Sequence, residues 1–129
     1  MSANSAPGFR THPDHRIDTK PAETRVQVTF DGELVADSDD VVVMTEGRYD
    51  PVYYFPRKDV RMERLSRTNH RTHCPFKGDA SYFSLTGGRT AENAVWSYED
   101  PYDEMQVIKE RLAFYPDKVD SITPVPGPR

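Results

Sequence analysis

Residues 24–38 read TRVQVTFDGELVADS, and this stretch decides the fold. In its first half, Val26, Val28 and Phe30 alternate with polar residues, which is the period-2 pattern of a strand with one buried face. The dipeptide Asp31-Gly32 readily adopts the positive φ angles of a tight hairpin turn. The sequence therefore predicts a β-hairpin, and the apolar run VVVM that follows at 41–44 predicts a third strand of the same meander because β-branched residues favour extended backbone.

Further strand and helix candidates follow toward the C-terminus. The strand candidates are VYYF at 52–55, DASYFSL at 79–85 and RTAENAVWSY at 89–98. Residues 103–114 place Met105, Ile108 and Leu112 at spacings of three and four, which predicts an α-helix with one apolar face and Asp103 as its N-cap. A run of strands with one late helix is typical of a mainly-β, antiparallel fold rather than of alternating βαβ units.

The chain of 129 residues has the size of one domain. Residues 1–22 are polar and contain several prolines, so we expect a flexible N-terminal arm before a single compact domain at 23–121. Residues 122–129 predict a proline-rich tail.

Composition excludes several classes of function. No apolar run reaches the roughly 18 residues of a membrane span, and the N-terminus has no apolar signal segment, so we expect a cytoplasmic protein. The lone cysteine, Cys74, can form neither an internal disulfide nor the paired thiolates of a structural zinc site. The net charge of −4 provides no general attraction to nucleic acid. No glycine-rich phosphate loop follows a predicted strand, which argues against a Rossmann or P-loop nucleotide site.

Three longer blocks carry a family resemblance. They are PVYYFPRKDV at 51–60, THCPFKGDASYFSL at 72–85 and AENAVWSYEDP at 91–101. In this order they resemble the domain-of-unknown-function 427 family, also labelled nucleotidyltransferase-like, over residues 24–120. The resemblance implies a compact strand-rich fold, in a β-tent-like or open-barrel arrangement, and no established activity. The chain departs from two related patterns: it has no Gly-Ser followed by paired aspartates, and its single cysteine cannot supply the Cys-x-x-Cys ligands of many β-tent domains.

The block at 72–85 contains a candidate nucleophile and a candidate anion contact. Cys74 could act as a nucleophile if the positive charge of Lys77 favours its thiolate; the alternative is a small buried thiol that only packs. At Lys77-Gly78, lysine offers a charge to a phosphate or carboxylate and glycine allows close approach of the backbone; the alternative is a solvated turn.

The block at 51–60 combines aromatic and charged residues. Tyr53 and Tyr54 point to opposite faces of a strand, so at most one of them lines a pocket. Arg57 and Asp59 could form an ion pair beside that pocket, or an ion pair with a structural role only.

The block at 91–101 adds an aromatic wall. Trp96 and Tyr98 lie on one face of an extended segment and could pack against a ring-bearing ligand together with Tyr82, or could be core residues. The adjacent Glu99 and Asp100 lack a spaced third ligand and predict no metal site. We expect His12 and His15, which lie in the arm, to play no part.

These residues lead to a hypothesis of small-molecule binding. The three blocks would line one pocket for a small, partly planar, anionic ligand held by Arg57 and Lys77. If chemistry follows, Cys74 is the candidate nucleophile and Asp59 the candidate proton acceptor; no cofactor is expected, and enzymatic activity stays open. The alternative is a non-catalytic protein-interaction module. Nucleic-acid binding is disfavoured by the acidic total, and homo-oligomerisation through an edge strand stays open. Convergence of the blocks on one concave pocket would favour the ligand site.

Overall fold

The computed structural model of the protein describes residues 4–125 and consists mainly of short β-strands. In chain order the strands are β1 (Ile17–Pro21), β2 (Arg25–Phe30), β3 (Glu33–Ser38), β4 (Val42–Glu46), β5 (Val52–Tyr54), β6 (Leu65–Cys74), β7 (Gly78–Leu85), β8 (Ala91–Ser97), β9 (Ala113–Phe114) and β10 (Ser121–Val125). One short α-helix, α1 (Pro7–Thr11), precedes them. Short 3₁₀-helical segments lie at Arg57–Asp59, Met62–Arg64, Asp103–Ile108 and Pro116–Lys118. No helix in this part of the chain is long and apolar enough to cross a membrane.

The strands form three antiparallel sheets. The first has the order β1-β4-β5, the second β10-β2-β3 and the third β6-β7-β8-β9. The strand orders have free edges, and none of the sheets closes into a barrel within residues 4–125. The prediction of a mainly-β, antiparallel fold is therefore confirmed.

The predicted hairpin is present, but the meander ends after it. Strands β2 and β3 pair through a turn at Asp31 and Gly32, whose φ angles are +53° and +78°. The predicted third strand, β4, pairs with β1 and β5 instead of β3. Both edges of β4 are thus hydrogen-bonded by segments outside the hairpin, which places it in another sheet.

Both segments expected to flank the domain contribute strands. Strand β1 lies within the predicted arm and pairs with β4 along its whole length. Strand β10 lies largely within the predicted tail and pairs with β2. The proline content did not prevent pairing because both are edge strands, where a missing N–H is tolerated. The rest of the predicted tail, residues 126–129, lies outside the described residues, as do residues 1–3.

The single C-terminal α-helix is not observed. The segment Asp103–Ile108 is 3₁₀-helical, and its N-cap residue, Tyr102, makes no side-chain capping bond. The apolar stripe is nevertheless buried, since Met105, Ile108 and Leu112 are at most 3% exposed. The helix cannot continue because Leu112 exchanges two backbone hydrogen bonds with Phe55, which holds it in extended conformation.

The interior divides into two clusters. The first is aliphatic and aromatic and lies between the second and third sheets, with Val28, Phe55 and Leu112 among its fully buried members. The second cluster contains Met44 and three tyrosines, Tyr54, Tyr82 and Tyr98. This second cluster brings phenolic hydroxyls into the interior and forms the floor of the cavity described next.

Candidate functional site

A cavity of about 290 Å³ opens beside the second cluster. It is lined by Met44, Glu46, Tyr49, Asp50, Val52, Tyr54, Lys77, Tyr82, Trp96, Tyr98 and Tyr115. Each of the three sequence blocks contributes to it: 51–60 through Tyr54, 72–85 through Lys77 and Tyr82, and 91–101 through Trp96 and Tyr98. We call it the tyrosine cavity.

Strand register brings these side chains together. Tyr82 on β7 is the direct cross-strand partner of Trp96 on β8, and opposite residues of an antiparallel pair point to the same face. Met44 on β4 is paired in the same way with Val52 on β5. The cavity therefore lies where the first and third sheets face each other.

The aromatic rings support one another. Trp96 packs on Tyr115 with ring centroids 4.5 Å apart, and its ring is nearly perpendicular to that of Tyr54. Tyr82 and Tyr115 are almost parallel at 6.5 Å. Rings held from several sides lose little further freedom when a ligand packs against them, so this wall is preorganised.

The tyrosine hydroxyls form a neutral polar network. The Tyr82 hydroxyl lies 2.9 Å from Thr72 Oγ1 and 3.3 Å from the Tyr115 hydroxyl. Burial raises the pKa of Tyr54, Tyr98 and Tyr115 above the usual value of a phenol. These groups therefore stay protonated at neutral pH and can both donate and accept hydrogen bonds.

An ion-pair cluster lies at one end of the cavity. Lys77 Nζ donates to Glu46 Oε1 at 2.7 Å, and His15 Nε2 lies 2.8 Å from Glu46 Oε2. Burial raises the pKa of Glu46, but the hydrogen bonds from Lys77 and His15 outweigh it and lower the pKa overall. Glu46 is therefore a carboxylate that already occupies one donor of Lys77.

Two of the predicted binding residues lie elsewhere. Tyr53 faces away from the tyrosine cavity into a neighbouring groove, as the alternation of β5 requires. Arg57 donates to Ser97, to Glu99 and to the carbonyl of Glu110. The three acceptors hold the guanidinium outside the cavity.

The two candidate catalytic residues do not line the tyrosine cavity either. Asp59 accepts a hydrogen bond of 2.6 Å from Ser38 and lies in a separate shallow groove beside β3. Cys74 is half-buried and packs against the second cluster. Gly78 pairs with Cys74 at the end of the β6–β7 hairpin, and its φ of +119° and close approach to the backbone of Pro101 explain the need for glycine.

Sequence reasoning missed several residues of the site and its surroundings, among them Tyr115, Glu46 and His15. Tyr115 follows the segment predicted as helix, and Glu46 ends a strand with no motif around it. His15 was expected to play no part, but it contacts Glu46 and stacks on Phe76 with ring centroids 4.2 Å apart. No local pattern marks these residues, because their partners are distant in sequence.

Among residues 4–125 no group of three or more histidine, cysteine, aspartate or glutamate side chains is arranged to hold a metal ion.

The comparison with curated proteins found no match. A family model matches residues 18–124, which is most of the chain. The chain therefore belongs to the family described as Domain of unknown function (DUF427).

Proposed function

We propose that this protein binds a small, partly planar ligand with one acidic group in the tyrosine cavity. The observation that carries the proposal is the convergence of the three sequence blocks on one concave surface. Aromatic walls with a few convergent polar groups are typical of small-molecule sites. In the same proposal the three open sheets take the β-tent-like arrangement that the family resemblance implies.

The size of the cavity limits the ligand. About 290 Å³ lies at the lower end of the roughly 300–1,000 Å³ usual for ligand pockets. A single ring with one or two substituents matches this volume better than a dinucleotide does. Trp96 and Tyr115 supply the apolar faces on which such a ring can pack.

The charges of the cavity limit the ligand further. Lys77 has three N–H donors, and Glu46 accepts one of them. A carboxylate on the ligand can accept another, while Glu46 and Asp50 in the same lining would repel a second negative charge. The site therefore favours an aromatic monoanion over a polyphosphate. Arg57, bound to Glu99, has no part in this proposal.

The test compares three benzene derivatives that differ in charge: benzoate, benzamide and benzylamine. Binding is followed by the melting temperature, which rises with any ligand that prefers the folded state. We expect benzoate to give a saturable rise that Lys77→Met abolishes and that Glu46→Gln increases, because the amide no longer competes for the lysine. Lys58→Met, at an exposed lysine 3.8 Å from Asp40, is the matched control and should leave binding unchanged.

The outcomes separate the alternatives. If benzylamine bound more strongly than benzoate, and Glu46→Gln weakened its binding, the site would prefer a cationic ligand to an anionic one. Equal binding to Lys77→Met and to the wild type would remove Lys77 from the site. Binding of none of the three compounds would argue against the proposal as a whole.

A non-catalytic interaction module is the second candidate. Strand β6 is a ten-residue edge strand whose side chains are mostly exposed, and such edges can pair with a strand of a partner or of a second copy. The register break between Arg67 and Arg71 interrupts that edge, which disfavours continuous pairing. Light scattering of the wild type and of a variant with Asn69→Pro would test self-association through β6.

A further inference from the structure

A second, apolar depression adjoins the tyrosine cavity. It has a volume of about 180 Å³, and its walls include Tyr53, Phe114, Pro116 and Ile122. Val52 and Trp96 line both depressions. We call the second one the junction groove, because edge strands of all three sheets, β5, β9 and β10, border it.

The two depressions differ in chemistry. The tyrosine cavity has Lys77, Glu46 and Asp50 in its lining. No charged side chain is among the described residues that line the junction groove. A molecule that reached from one to the other would therefore meet charged side chains at one end and only uncharged, mostly apolar ones at the other.

The boundary between them is rigid. Trp96 is contacted by Tyr54 on one side and by Tyr115 on another. These contacts brace the ring of Trp96, which lines both depressions. A ligand ring in the cavity would lie next to Val52 and Trp96, the two residues that line both depressions.

From this arrangement we infer that the ligand is amphiphilic: an aromatic acid whose ring lies in the tyrosine cavity and whose apolar substituent fills the junction groove. The inference rests on the proposed function and specifies its ligand class. Each methylene removed from water contributes about 0.8 kcal/mol, or about fourfold in affinity. Affinity should thus rise with the length of the substituent until the groove is full.

A homologous series tests the inference: benzoate and its 4-ethyl, 4-butyl and 4-hexyl derivatives. Trp96 is the only tryptophan of the chain and borders both depressions, so its fluorescence reports binding directly. We expect each added pair of methylenes to strengthen binding by about fifteenfold until a plateau is reached. Binding to variants that add a tryptophan is followed by the melting temperature instead. The variant Ile122→Trp, which fills the groove, should bind benzoate like the wild type and lose the gain from longer chains.

The matched control is Val125→Trp, on the same strand but not in the groove lining. It should keep the gain, and circular dichroism of both variants checks that they fold. Ile122→Ala, which enlarges the groove, is the second variant and should move the plateau to a longer chain.

The results distinguish the two levels of the proposal. Benzoate binding without any gain from chain length would overturn the inference and leave the proposed function standing. A gain that persists in folded Ile122→Trp would also overturn it, because the chain would then lie elsewhere. If no member of the series binds, the proposed function fails and the inference fails with it.

Discussion

Lys77 and Glu46 form an ion pair with 2.7 Å between Nζ and Oε1, although they lie 31 residues apart. Their side chains are only 12% and 20% exposed. The pair links the end of β4 to the turn before β7, and so ties the first sheet to the third. It also places one positive and one negative charge in the same wall of the tyrosine cavity.

Replacing Lys77 alone should destabilise the protein more than replacing Lys77 and Glu46 together. In Lys77→Met the Glu46 carboxylate loses one of its two side-chain hydrogen bonds among residues 4–125 and keeps the one with His15. Because a half-buried carboxylate is then less well compensated, the free energy of unfolding should fall by about 1–3 kcal/mol. Adding Glu46→Gln should recover part of this loss because no charge then stays uncompensated. Urea denaturation measures both, with Lys58→Met, at a 67% exposed side chain, as the control. Equal stability of Lys77→Met and Lys58→Met would contradict the prediction.

Glu99 should make stability depend on acid pH. Hydrogen bonds from Arg67, and then from Arg57, outweigh the effect of burial and lower the pKa of Glu99 from 4.5 to about 2. A carboxyl whose pKa is lower in the folded state stabilises the fold above its unfolded pKa and loses that contribution as the pH falls through the folded value. The wild type should therefore melt at a higher temperature than Glu99→Gln at pH 6. The difference should shrink between pH 4.5 and 2.

The control for this titration is Glu63→Gln, at an exposed residue of the 3₁₀ segment Met62–Arg64, just before β6. Its melting temperature at each pH gives the reference for replacing an exposed carboxylate by an amide. If the difference in melting temperature between the wild type and Glu99→Gln stayed constant from pH 6 to pH 2, the prediction would be contradicted. The two arginines would then not stabilise Glu99 through its negative charge.

Gly8 should be intolerant of a side chain. A Cβ atom at this position would lie 2.7 Å from ring carbons of Phe76 and 2.9 Å from the carbonyl oxygen of Pro75. Overpacking of this kind typically costs about 1–3 kcal/mol. Gly8→Ala should therefore loosen α1 and speed trypsin cleavage after Arg10, whereas Thr11→Ala at the exposed end of α1 should not. Combining Gly8→Ala with Phe76→Leu should restore part of the protection from trypsin. If it did not, a clash with the Phe76 ring would be excluded as the cause of the faster cleavage.

Cys74 should react slowly in the folded protein. It is half-buried against the second cluster, so a disulfide reagent should label it faster in urea than in buffer at the same pH. Cys74→Ala should also retain benzoate binding, because Cys74 does not line the tyrosine cavity. Rapid labelling of the native thiol, protected by benzoate, would instead support the catalytic hypothesis for this residue.

Local patterns in the sequence account for part of the fold. The alternation of Val26, Val28 and Phe30 and the Asp31-Gly32 turn predicted the hairpin of β2 and β3. The alternation along 52–55 also explains why Tyr53 and Tyr54 face different depressions. These features depend on residues close in the chain, whose backbone geometry alone decides which way each side chain points.

The sequence by itself thus determined a mainly-β, antiparallel chain and its family. Only the tertiary structure decided that β4 leaves the hairpin for a sheet with β1 and that Leu112 pairs with Phe55 instead of continuing a helix. It also decided that Glu46 neutralises Lys77. The physical reason is that strand edges and buried charges are satisfied by partners far away in the chain. No period or spacing in a single sequence specifies which distant partner a backbone edge or a carboxylate will find.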